Sequence, residues 1–179
     1  MIRDTNSLNQ VAEFHHTFKH PVIEKPEIPS KERCELRITL IAEELKELQQ
    51  AVDDNNLVEV ADALCDLQYV LSGAVLEFGL GEKFKELFDE VHRSNMSKAC
   101  KTVEEANLTI NHYKNTANTA SYYKEVDGLY LVYRESDNKT LKSVNYSPAD
   151  LAGILGDMLG QKSEVGNPKS EAGSQKSKV

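Results

Sequence analysis

Hydrophobic residues recur at helical spacing through the first two thirds of the chain, and the period shortens toward that of strands past residue 120. Leu8, Val11, Ala12, His15 and Phe18 predict a first helix over residues 3–19, stopped before Pro21. Residues 21–29 carry three prolines and must be extended. Ser30 then reads as the N-cap of a second helix reaching Asp53, with Leu36, Ile41, Leu45, Leu48 and Val52 near one stripe. Asp53, Asp54, Asn55 and Asn56 favour turns and caps over helix interiors. A third helix is predicted over 57–78, ending at Gly79, and a fourth from about Glu82 with Phe84, Leu87, Phe88 and Val91. Thr102 and Glu105 form a capping-box pattern for a fifth helix reaching Tyr113.

Tyr122, Tyr123 and Val126, then Asp127-Gly128, then Leu129 to Tyr133, predict a hairpin closed by a type I′ turn. A second turn at residues 137–139 leads to Leu141, Val144 and Tyr146 and completes a small β-meander. Ser147-Pro148 opens a terminal helix to about Leu159, with proline at its first position. Beyond Gly160 the residues have almost nothing apolar to bury. The predicted organisation is an all-α domain over 1–118, a meander-plus-helix appendage over 119–160 and a disordered tail over 161–179.

Charge narrows the function classes. The 179 residues carry a net charge of -8, and the last nineteen carry four Lys against two Glu, so the remainder is more acidic still. That excludes a basic nucleic-acid footprint. Three cysteines at wide spacing, Cys34, Cys65 and Cys100, form neither a disulfide framework nor a zinc motif and fit a reducing cytoplasm. No apolar run approaches the roughly 20 residues of a membrane span, and the first residues hold no signal-peptide core.

The chemistry concentrates on the predicted hairpin of helices two and three. Glu43, Glu44 and Glu47 lie on the first arm; Glu59, Asp62 and Asp66 lie on the second. Glu44 and Glu47, Glu43 and Glu47, and Glu59 and Asp62 are each neighbours on one helix face, where like charges repel. Counted outward from Asp53, Glu47 and Glu59 are each six residues away, and Glu44 and Asp62 each nine, so an antiparallel hairpin brings both pairs level. Packed helices stand roughly 8–10 Å apart, a gap across which carboxylates can hold a hard cation such as magnesium. A solvated acidic face is the ordinary alternative. Against it, Asp62 and Asp66 sit among Val60, Ala61, Ala63, Leu64, Cys65, Leu67, Val70 and Leu71, where a lone acid is costly. A di-iron carboxylate bundle requires two Glu-x-x-His motifs; only Asp89-x-x-His92 comes near.

Glu44-x-x-Glu47 followed by Glu59-x-x-Asp62, with the paired Glu43-Glu44 opening, Tyr69-Val70, Gly73 and the downstream SNMSK stretch, resembles the all-α nucleoside triphosphate pyrophosphohydrolases. That superfamily includes MazG-like enzymes, phosphoribosyl-ATP pyrophosphohydrolases and dimeric dUTPases. The resemblance covers residues 8–115. Many MazG members place the second acidic pair directly before the Asp-Leu that is here Asp66-Leu67, whereas position 63 is Ala, so Asp66 stands as an alternative ligand to Glu59. The resemblance implies a MazG-like four-helix-bundle fold and Mg2+-dependent hydrolysis of a nucleoside or deoxynucleoside triphosphate to monophosphate and pyrophosphate, with Mn2+ as a substitute metal. It further implies a nucleotide-pool house-cleaning role.

On that basis Glu44, Glu47, Glu59 and Asp62 are the expected metal ligands. Glu47 and Glu43 are the expected catalytic pair, Glu43 orienting or deprotonating water. Asp66 lies beside the metal and substrate as an auxiliary ligand or support, Asn95 is assigned to base or sugar, and Lys98 to phosphate. Arg93 reads as a helix-end charge. His15, His16 and His20 read as amphipathic or capping residues, with His20 able to reach a nucleotide. Helices two and three are apolar around more of their circumference than a lone hairpin can bury, which predicts a homodimer with a shared core. Family resemblance admits a tetramer. The alternative function is a non-catalytic helical binding or regulatory protein that uses the acidic face and the C-terminal hairpin.

Overall fold

The computed structural model describes residues 5–159. The expected tail over 161–179 lies outside the described residues. Six helices and one two-stranded antiparallel sheet are found among those residues. Helix α1 (Ser7–Phe18) buries Val11 and His15, one turn apart, against α3 (Leu57–Glu77). Residues 21–29 run extended along the end of α3, where Ile23 N–H donates to Leu76 O at 3.0 Å and Glu27 N–H to Phe78 O at 3.2 Å. Gly79 makes this passage possible: its φ is +67°, and a Cβ there would stand 2.0 Å from the Lys25 carbonyl oxygen.

Helix α2 (Lys31–Asp53) begins under the Ser30 cap, whose Oγ accepts from Arg33 N–H at 3.4 Å. The turn after it uses Asn55 at φ 51°, and Asn56 Oδ1 accepts from the N–H groups of Val58 and Glu59 to start α3. Helices α2 and α3 pair along their length, joined through Ala51, Ala63 and the buried end of α3 at Val75 and Leu76. The small core leaves Ile38, Leu57 and Val58 68%, 80% and 75% exposed.

A second packing centre forms around α5 (Val103–Ala117) and a hairpin of β1 (Ser121–Val126) and β2 (Leu129–Arg134). Cys100, Ala106, Val132 and Leu141 are its buried residues, with Ile110, Tyr113, Tyr123 and Tyr130 against them. Asp127 at φ 50° and Gly128 at φ 77° give the type I′ turn, and Val126 pairs with Leu129. Backbone bonds in both directions between Cys100 and Tyr130 fasten β2 to the segment leading into α5.

The predicted third strand of the meander is not formed. Beyond one bridge between Tyr133 and Thr140, the chain leaves the sheet because α5 side chains capture its polar groups. Thr109 Oγ1 accepts from Val144 N–H at 3.1 Å, and the Glu105 carboxylate accepts from the Ser143 hydroxyl. The helix α4 (Phe84–Met96) packs on α6 (Leu151–Leu159). α6 starts three residues later than Pro148 predicts. Residues 147–150 are instead tied to α4, with Ser147 N–H donating to Ser97 Oγ at 2.9 Å and Asp150 N–H to Glu90 Oε1 at 2.8 Å. Asp150 is the cap, accepting from Gly153 N–H at 2.9 Å.

Candidate metal centre

The six acids lie at the closed end of the α2–α3 hairpin. Glu44 is half-buried; Glu43, Glu47, Glu59, Asp62 and Asp66 are exposed. The Glu44 carboxyl is held above the usual carboxylate range, first by partial burial and then by repulsion from Glu47, Asp66, Glu43 and Asp62. Both arms therefore act on one group. Of the α3 acids, Asp66 and then Asp62 influence Glu44 most. An open cavity of about 450 Å³ runs beside Glu43, Glu44, Lys46, Glu47 and Gln50.

Acids elsewhere are matched by cations on their own helix or turn: Lys31 with Glu35, Lys83 with Glu86, Lys85 with Asp89, Arg93 with Glu90, and Arg134 with Asp137. Among the described residues none of the six hairpin acids has an ion-pair partner, and Gln49 and Gln50 turn to Asp53 and Asp54. As the side chains stand, no three acid, histidine or cysteine groups among the described residues are drawn close enough to grip a metal. Like charges on flexible stems keep apart unless a cation joins them.

The opposite end of the same helix pair is built from matched charge. Glu77, 1% exposed, accepts from Arg33 Nε at 3.0 Å and also pairs with the guanidinium of Arg37, which is itself buried. Arg37 Nη2 also faces His15 Nε2 at 3.3 Å, so that nitrogen is the acceptor and His15 Nδ1–H donates to Pro21 O at 2.7 Å. Burial holds His15 below its ordinary value, against the opposing pull of the Pro21 carbonyl. Burial raises Glu77, but the hydrogen bonds from Arg37 and Arg33 more than reverse this, leaving it below the usual range. Gly73 leaves the space these groups fill, since a Cβ there would lie 2.6 Å from Arg37 Nη1. Sequence reasoning missed this network; a glycine and a lone Glu within an apolar helix were its only traces.

Along α3, Tyr69 follows Asp62 and Asp66 at intervals of seven and three residues, on the same stripe. Phe14 of α1 meets Tyr69 edge-on at 5.6 Å and stacks on His20 at 5.8 Å. Asn95 and Lys98 are brought together, Lys98 Nζ donating to Asn95 Oδ1 at 2.8 Å, but they belong to the α4 end, and Lys98 lines a different cavity from Glu44. Arg93 binds Glu90, Ser147 and the Pro148 carbonyl.

Residues 11–95 match the family model described as phosphoribosyl-ATP pyrophosphohydrolase. The matched family is a member of the MazG-like, all-α nucleoside triphosphate pyrophosphohydrolase superfamily. The family is generally dependent on divalent metals and acts on nucleotide substrates. A protein of Acanthamoeba polyphaga mimivirus, described as uncharacterized protein L479, is 26% identical, with 81% of this chain and 94% of that one covered. That span is longer than the family match, so the likeness reaches the appended hairpin. No helix among the described residues is long and apolar enough to cross a membrane. The donor set suits the family's metals: hard carboxylate oxygens from two facing helices, none of them ion-paired among the described residues.

Proposed function

We propose that the chain hydrolyses a nucleoside or deoxynucleoside triphosphate to the monophosphate and pyrophosphate, with Mg2+ or, in its place, Mn2+. The observation that carries the reading is a set of five carboxylates, Glu44 and the four that act on it, with no ion-pair partner among the described residues and within the segment that matches a pyrophosphohydrolase family. Glu44, Glu47 and Asp62 would hold the metal with a fourth carboxylate. Asp66 is favoured for that place over Glu59 by its stronger influence on Glu44. A bound divalent ion would offset phosphate charge and acidify water. Glu43 and Glu47, both exposed beside the open cavity along α2, would orient that water and accept its proton.

The aromatic surface of Phe14, His20 and Tyr69 continues the acid stripe and would stack on the base. Asn95 would contact base or sugar, and Lys98 phosphate, from their separate position beside α4. The exposed apolar faces of α2 and α3 support a homodimer in which such groups come from a neighbouring subunit. The reading is of a cytoplasmic house-cleaning enzyme with no nucleic-acid partner.

The test is pyrophosphate release from a panel of canonical and deoxynucleoside triphosphates, with magnesium, manganese or chelator. Metal-dependent release from one or a few substrates is expected. The Glu47→Gln variant should lose at least 100-fold in turnover with helix content unchanged by circular dichroism. Silence of the wild type across the panel, or normal turnover by the variant, would sink the assignment.

A further inference from the structure

We propose that the cavity between the end of α4, α5 and the appended hairpin is a phosphate-binding site that takes an inorganic or nucleotide polyphosphate without a metal. It rests on the proposed function only for the source of the phosphate. The cavity, of about 280 Å³, is lined by Lys98, Tyr113, Arg134, Lys139, Thr140 and Lys142, with Leu141 at its floor. Four cations thus meet on a chain whose net charge is -8. Among the described residues Arg134 is ion-paired with Asp137, which also feels the charge of Lys139, while Lys98 and Lys142 form no ion pair. A solvated surface would spread its lysines apart or intersperse acids; here three elements converge on one concavity. Like charges so gathered raise each other's energy unless an anion lies between them.

The lining is also held in place rather than loose. Lys98 Nζ is hydrogen-bonded to Asn95 Oδ1 at 2.8 Å, and Lys142 Nζ sits 4.3 Å from the centre of the Tyr146 ring. Tyr146 in turn is hydrogen-bonded to the buried Ser94 at 2.9 Å. Lys142 N–H donates to Tyr113 Oη at 3.1 Å, so the Tyr113 hydroxyl already accepts and its own proton is available to an incoming oxygen. The Thr140 hydroxyl is a second neutral donor. Ammonium, guanidinium and hydroxyl donors around a small concavity suit the tetrahedral oxygens of a di- or triphosphate. The acidic balance of the remaining surface disfavours a longer polyanion such as nucleic acid, which would run past the cavity onto like charge.

The site owes most of its charge to the appendage. Arg134, Lys139 and Lys142 all lie beyond residue 118, outside the segment that matches the family. Lys139 is held beside β2, its carbonyl accepting from Arg134 N–H at 2.9 Å, and Lys142 follows Leu141, whose N–H is the last to bond the strand, donating to Val132 O at 2.9 Å.

Titration calorimetry of the full chain with inorganic pyrophosphate and tripolyphosphate, in EDTA, tests the proposal. Without metal the hairpin acids repel these anions, so the measurement reports this cavity whether or not the protein turns over nucleotide. Saturable binding that weakens with salt is expected. The Lys139→Gln/Lys142→Gln double variant should bind at least 10-fold more weakly, the corresponding Lys→Arg pair should restore binding, and Glu47→Gln should bind as the wild type does. A nucleoside triphosphate binding no better than tripolyphosphate would place recognition in the phosphates; tighter binding would identify a nucleotide as the occupant, and either supports the site. Absence of binding, binding unaltered in the Gln pair while the hairpin's near-ultraviolet signal persists, or tighter binding of a single-stranded oligonucleotide than of tripolyphosphate would overturn it.

Discussion

Glu44 and Glu77 are the same side chain on the same pair of helices, and the protein treats them in opposite ways. Glu77, at the open end of the hairpin, is buried between two guanidinium groups and held below the usual carboxylate range. Glu44, toward the closed end, is half-buried among other acids and held above it. One end has satisfied its charge internally and can only serve the fold. The other has left charge uncompensated, which a folded protein sustains where a ligand supplies the counter-charge. Substitutions at the two ends should therefore separate stability from activity.

The largest stability effect is expected from Glu77→Ala. Among the described residues it removes the only carboxylate paired with the buried Arg37, whose Nε there already has no hydrogen-bond partner. Loss of one member of a buried ion pair costs about 3–5 kcal/mol, enough to threaten a domain of ordinary stability. Urea unfolding checks the value. A cost under about 1 kcal/mol would mean that solvent reaches the network readily, and the contrast with Glu44 would fail.

The two ends differed in legibility for a physical reason. Acids repeated at three- and four-residue intervals on facing arms form a local pattern, and the turn at residues 53–56 sets their register, so counting set Glu44 level with Asp62 and Glu47 level with Glu59; Asp66, which acts on Glu44 where Glu59 does not, was suggested by the family resemblance rather than by the count. The network of His15, Arg33, Arg37 and Glu77 joins α1, α2 and α3 across up to 62 positions of sequence, and no spacing rule predicts it. Helix ends marked by local chemistry were read well, as at Ser30, Asn56, Gly79 and Thr102. Where long-range bonds compete with local preference the reading missed: Thr109 and Glu105 unmade a strand, and the hold of α4 on residues 147–150 moved the start of α6 from Pro148 to Leu151. Asn95 and Lys98 were legible as a pair but not in their surroundings, because Lys139 and Lys142 arrive from the appendage.

Acid should dismantle the matched end next, in an intermediate step. His15 is held below its ordinary 6.5, so as pH falls below 6.5 the unfolded chain takes up a proton that the native state refuses. Stability from this group is full above 6.5 and declines as pH falls toward the lower native value. Glu77, held below its ordinary 4.5, contributes stability that is present above 4.5 and lost as pH falls through its native value. Thermal midpoints measured in chelator should therefore fall in two stages on acidification, and His15→Gln should flatten the first. A midpoint constant between pH 7 and 5 in the wild type would count against the neutral, Arg37-facing His15.

The smallest effect, and the one that most directly opposes the two ends, belongs to Glu44→Gln. A carboxyl held above its ordinary 4.5 carries the reverse linkage sign: the native state accepts its proton before the unfolded chain does, and at neutral pH the ionised group works against folding. Removing that charge while keeping the side chain's shape relieves repulsion from Glu47, Asp66, Glu43 and Asp62 together. In chelator the variant should melt at or slightly above the wild-type temperature, where Glu77→Gln should melt well below it. Magnesium should then invert the order. A cation bound only by the native state stabilises by about 2.7 kcal/mol at a hundred times its dissociation constant, and the variant, lacking a central ligand, should gain less. The same melting curves with and without magnesium thus report both halves of the argument. If Glu44→Gln were destabilising in chelator and gained as much from magnesium as the wild type, Glu44 would be a structural residue like Glu77.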